Sequence, residues 1–132
     1  MMTRRFLLTF LALITFAPMA IAGQGTDYKP GLIKQALADG KTVLVDYKAS
    51  WCSTCARQER VIESLRKGDP AYDKAITFIN VDWDQYGDHE VTTSRNVPRR
   101  STLLLLKGNE ELGRIVAGTG QSQIKALLDK AL

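Results

Sequence analysis

The chain has 132 residues, 18 basic against 14 acidic side chains and a formal net charge of +4. That length suits a single domain, and the composition, 45% hydrophobic and 24% charged, is that of a globular protein. No block of lysine or arginine exceeds the pair Arg99-Arg100, so nucleic-acid binding has no support.

In chain order, the first feature is a charged opening, Arg4-Arg5, followed by the apolar run Phe6 to Phe16. Pro18 breaks the run, and Ala20-Ile21-Ala22 supplies the small-x-small pattern of a cleavage site. This three-part form predicts a secretory signal peptide over residues 1–22, with the working domain over 23–132. The apolar core is far shorter than the roughly 20 residues that span a bilayer. The alternative is an uncleaved membrane anchor beginning at Arg5. Removing Arg4 and Arg5 leaves 16 basic against 14 acidic residues, so the domain itself carries only +2. The expected location is periplasmic or otherwise exported.

Gly23 to Lys29 reads as a flexible lead-in. Pro30 suits a helix start, and Leu32, Ile33, Ala36 and Leu37 recur at helical spacing until Asp39-Gly40. Thr42 to Tyr47 is β-branched and apolar on both faces, which predicts a central strand covered on both sides. Ala56 to Lys67 reads as a helix ended by Gly68-Asp69-Pro70, and Ile76 to Val81 as a second buried strand. Trp83 to Asn96 has weak helical character. Thr102 to Lys107, Gly108-Asn109 and Glu111 to Ala117 form a strand, turn and strand, a hairpin signature. Gln121 to Leu132 closes the chain as a helix. Strands separated by helices imply parallel pairing, and the hairpin adds an antiparallel edge: an α/β fold with one mixed sheet and helices on both faces.

Both cysteines lie in Trp51-Cys52-Ser53-Thr54-Cys55, where a buried strand gives way to a helix. Cys52 at the helix start meets free backbone N–H groups that favour an anion, and the thiolate is the attacking species. Cys55, one turn on, can close a disulfide with Cys52 and resolve a mixed disulfide. A metal site or an inert crosslink remain as alternatives. After two cysteines the chain offers a metal only His89 and carboxylates, and a crosslink over so short a loop stabilises little. The redox reading calls for no cofactor and no bound metal.

Asp46, six residues before Cys52 in an apolar strand, is a candidate acid or base for the proton of Cys55. Its alternative is an ion pair with Lys48. Glu59, four residues after Cys55, is a candidate to raise the thiol pKa, or an ordinary surface glutamate.

With these residues assembled, the chain resembles the thioredoxin-like family. Val43 to Asp46 followed by Trp51-Cys52-x-x-Cys55 matches its entry strand, buried aspartate and active site, and Phe78 to Asp82, Thr102 to Gly108 and Val116 to Gly118 match later landmarks. The lead-in to Cys52 and the position of Glu59 look most like the C-terminal periplasmic domain of transmembrane disulfide reductases. The resemblance implies a thiol–disulfide oxidoreductase that reduces disulfides of substrate proteins, as a monomer, with electrons from a membrane donor. A disulfide oxidase or isomerase of the same fold is the alternative. It further implies substrate contacts at Trp51, Ser101, Thr102 and Gly118. Two positions depart from the family: Ser101 stands where the family places a cis-proline, and Phe78 where a lysine often partners the buried aspartate.

Overall fold

A computed structural model describes residues 25–132. The expected signal segment, residues 1–22, lies outside the described residues.

Five strands form one mixed sheet, β1 (Thr26–Asp27), β2 (Thr42–Lys48), β3 (Ile76–Asp82), β4 (Thr102–Lys107) and β5 (Glu110–Val116), in the order β1-β3-β2-β4-β5. β1, β3 and β2 run parallel, while β4 is antiparallel to both β2 and β5. The helices are α1 (Leu32–Ala38), α2 (Ser53–Gly68), α3 (Ala71–Ala75), α4 (Trp83–Tyr86), α5 (Glu90–Thr93) and α6 (Gln121–Asp129).

Alternation along the strands sends side chains into two separate cores. Val43, Val45 and Tyr47 of β2 pack with Ile79, Val81, Leu104 and Leu106 under α1 and α5. Leu44 of the same strand packs with Phe78, Leu103 and Leu105 under α2, α3 and α6. β2 is buried from Thr42 to Tyr47, as a strand apolar on both faces must be. Asp46, in phase with Leu44, therefore points to the α2 side. Gly108, at φ 58, takes the left-handed first position of the two-residue hairpin turn.

One expectation is corrected. Gly23 to Lys29 is not all lead-in: Thr26 and Asp27 pair with Ile79 and Asn80, and the Tyr28 N–H donates to Asn80 O at 2.8 Å. Gly25 lets the chain approach, since a Cβ there would strike the Phe78 backbone. α3, on which the sequence reading is silent, is a short helix that follows Pro70 at once and buries Tyr72. The cysteine-bearing helix also begins earlier than its apolar spacing predicts, at Ser53 inside the motif.

Candidate active site

β2 delivers the chain to the top of the sheet, and α2 begins there with Cys52 as its N-cap. The Cys52 Sγ accepts from the Cys55 backbone N–H at 3.1 Å, so one free donor of the helix end is spent on sulfur. The two cysteines form a disulfide with their Cα atoms 5.3 Å apart. Both are nearly sealed, with 4% and 2% of their surface exposed. Ser101, at the foot of β4, lies across them: its Oγ is 3.2 Å from Cys52 Sγ and 3.1 Å from Cys55 Sγ.

Ser101 is held hard. Its N–H donates to Tyr47 O at 2.7 Å, and its carbonyl accepts from the Ala117 N–H at 2.8 Å and from Gln58 Nε2 at 2.9 Å. Gln58 also donates to Gly118 O at 3.0 Å. One fully buried α2 side chain thus ties together the two loops that flank the disulfide. Sequence reasoning missed Gln58, although a signal was present. It occupies the buried stripe Cys55, Gln58, Ile62, Leu65, where a polar residue demands a partner. Ser101 has φ 64, a left-handed value uncommon for a residue with a Cβ, and its peptide bonds are trans.

Ser101 and Thr102, expected to touch substrate, are both fully buried, and Thr102 Oγ1 donates to Arg99 O at 2.7 Å. Their polar backbone and hydroxyl groups face inward, beneath the surface. The large apolar side chain exposed beside the disulfide is Trp51, 58% exposed. Its indole N–H lies 3.0 Å from both carboxylate oxygens of Asp84, and the Arg100 guanidinium stacks on its ring at 4.6 Å. Gly118 is half-buried, and a Cβ there would collide with the Gln123 side chain.

Asp46 is buried on the α2 side of β2, and its Oδ1 has no hydrogen-bond partner. Burial pushes its pKa up from 3.8 to about 7; Lys48 draws it down in part, and Glu59 adds to the rise. The ion pair considered between Asp46 and Lys48 is not made. Lys48 Nζ instead lies 3.1 Å from Glu59 Oε2. Glu59 is therefore paired, and its influence falls on Asp46. All three side chains line a cavity of about 20 Å³, room for a single water. Phe78 lies beneath the Arg66 guanidinium, 4.1 Å from its ring centre, and Arg66 lines the same small cavity as Asp46.

His89, the histidine available to a metal, caps α5 through Nδ1 and packs edge-on against Tyr86. Among the described residues no group of three or more His, Cys, Asp or Glu side chains gathers to hold an ion. A concavity of about 740 Å³ runs past Lys34, Arg95 and Gly108 at the far end of the hairpin. That end is roughly 20 Å from Ser101 along β4, at ~3.3 Å per residue.

A family model described as thioredoxin-like matches residues 26–103. Thioredoxin-1 of Saccharomyces cerevisiae is 34% identical over 90 residues, covering 68% of this chain and 81% of the yeast protein. The chain belongs to the thioredoxin-like family. Among solved structures, Trxlp from Edwardsiella tarda is 30% identical with a TM-score of 0.66, over 81% of this chain and 98% of that one. Malassezia sympodialis thioredoxin, 24% identical with a TM-score of 0.69 over 83% and 91%, shares the fold. This thioredoxin-like protein is a thiol–disulfide oxidoreductase with Cys52 and Cys55 as its redox pair. Proteins of this kind act on disulfide-containing substrates.

Proposed function

We propose that the protein is an exported reductase of protein disulfides, working as a monomer and recharged by a membrane electron donor. The observation that carries the direction of electron flow is Asp46, a buried carboxyl whose Oδ1 has no hydrogen-bond partner among the described residues, with Lys48 already committed to Glu59. An ionised Asp46 on the α2 side of β2 disfavours a persistent thiolate in the motif that follows, hence favours the oxidised enzyme and makes the dithiol the better donor.

In the working direction, Cys52 thiolate attacks a substrate disulfide; one substrate sulfur leaves and takes a proton. Cys55 thiol passes its proton to Asp46, directly or through one water, and the Cys55 thiolate attacks Cys52 Sγ. The second substrate sulfur leaves and is protonated, and the enzyme holds the disulfide. Two electrons have moved to the substrate. Two electrons and two protons from the donor restore the dithiol. Trp51 with its stacked Arg100, and the Gly118 backbone, form the surface a substrate meets. The pattern of residues 1–22 supports export, and export removes the protein from cytosolic reductants, which is why a membrane donor is invoked.

Equilibrating the protein with glutathione tests this. A potential near ~−270 mV or lower fits a reductase; one near ~−120 mV reverses the direction and makes the protein an oxidase.

A further inference from the structure

Ser101 has a hydroxyl that the reaction just described leaves idle, yet among the described residues no other side-chain hydroxyl, amide or charged group bonds both sulfurs. In the disulfide neither sulfur carries a proton, so at 3.2 and 3.1 Å the hydroxyl is the donor. It is fully buried, where a hydrogen bond to charge counts for most. The backbone is fixed on three sides, by Tyr47, Ala117 and Gln58, and the remaining freedom is rotation of the O–H.

We propose that Ser101 is a catalytic residue whose hydroxyl donates a hydrogen bond to whichever of Cys52 and Cys55 carries the negative charge in each half of the exchange. This rests on the exchange mechanism proposed above. In the dithiol, Oγ accepts the Cys55 S–H and donates its own proton to the Cys52 thiolate, one hydroxyl serving both sulfurs. Once Cys52 is bonded to substrate it carries no charge. Cys55 loses its proton to Asp46, and the O–H turns to the new Cys55 thiolate, which attacks Cys52. The hydroxyl keeps its proton throughout. It stabilises an anion first on one sulfur and then on the other.

The charged groups on the elements around the pair are Asp46 and Lys48 on β2, Arg57, Glu59 and Arg60 on α2, Asp84 beside Trp51, and Arg99 and Arg100 on the loop before β4. None of them is altered by a substitution at Ser101, so a shift in the Cys52 titration common to two such variants reports the hydroxyl. Alkylation of Cys52 in the reduced full chain, followed by mass spectrometry across pH, reads its thiolate directly. Ser101→Ala removes only the oxygen. Ser101→Gly removes it too and fits the left-handed backbone without strain. Both variants are expected to move the Cys52 midpoint up by about one pH unit, a tenfold loss of thiolate below the midpoint. Midpoints equal to that of the unsubstituted protein overturn the proposal, and so does a shift in the Ala variant alone, which would report the backbone. In the unsubstituted oxidised protein, the Ser101 hydroxyl proton should exchange slowly with water; rapid exchange also overturns it. Insulin reduction by the unsubstituted chain separates the two ideas: its absence sinks the reductase reading, while the Cys52 midpoints still decide Ser101.

Discussion

Asp46 holds a proton in the folded protein over a range in which the unfolded chain has already released it. With a folded pKa of about 7 against an ordinary 3.8, its contribution to stability is fully present below about pH 4. It is lost as pH rises through 7. Integrated over that span, ionising Asp46 in place costs on the order of 4 kcal/mol. Asp46→Leu should therefore raise the urea midpoint at pH 8, and the advantage should shrink toward pH 4. The same variant, and Asp46→Asn, should slow resolution of a mixed disulfide at neutral pH, because Cys55 loses its base. In the parent that rate should climb through pH 7 as Asp46 ionises. An unchanged rate in Asp46→Asn takes Asp46 out of the mechanism. Gln58 makes a separate case. Gln58→Leu fits the volume but strips one partner from the carbonyls of both Ser101 and Gly118. A loss of about 2–4 kcal/mol is expected in denaturant unfolding.

At the scale of elements, what the sequence disclosed follows the length of each signal. β2, β3 and the hairpin were legible because six or seven apolar or alternating residues in a row leave few options. The N-cap position of Cys52 was legible from the change of pattern at Trp51. β1 was not: two residues carry no period, and what holds them is Gly25 against the backbone of Phe78, a contact distant in sequence. α3 was hidden for the same reason, with five residues and one buried tyrosine. Gly25→Ala should push β1 from β3, lowering the melting temperature and exposing the Tyr28 amide, which bonds Asn80 O, to exchange. Protection of that amide equal to the parent's would show that β1 tolerates a side chain at Gly25. At the site, the pairing of Cys52 with Cys55 was legible from their spacing, and the burial of Asp46 from a charge in an apolar strand. The inward aim of Ser101 was not, because φ 64 cannot be read from a serine between an arginine and a threonine.

On the scale of the whole molecule, the direction of electron flow is also a statement about folding. Reduction and unfolding form a closed cycle, so a folded couple more reducing than the same two cysteines in the unfolded chain must stabilise the oxidised protein over the reduced one. Each 30 mV between the two potentials appears as about 1.4 kcal/mol of stability. The buried Asp46 pushes in this direction, since its negative charge weighs against a neighbouring thiolate and not against a neutral disulfide. The Ser101 hydroxyl and the α2 N-terminus push the other way, by favouring the thiolate. The balance is settled by unfolding the oxidised and reduced protein in urea at one pH. The oxidised form is expected to unfold at the higher concentration, and Ser101→Ala should widen the gap where Cys52 is ionised in the parent. A reduced form that outlasts the oxidised one would mean that the fold draws electrons in, and that its substrates are dithiols awaiting oxidation.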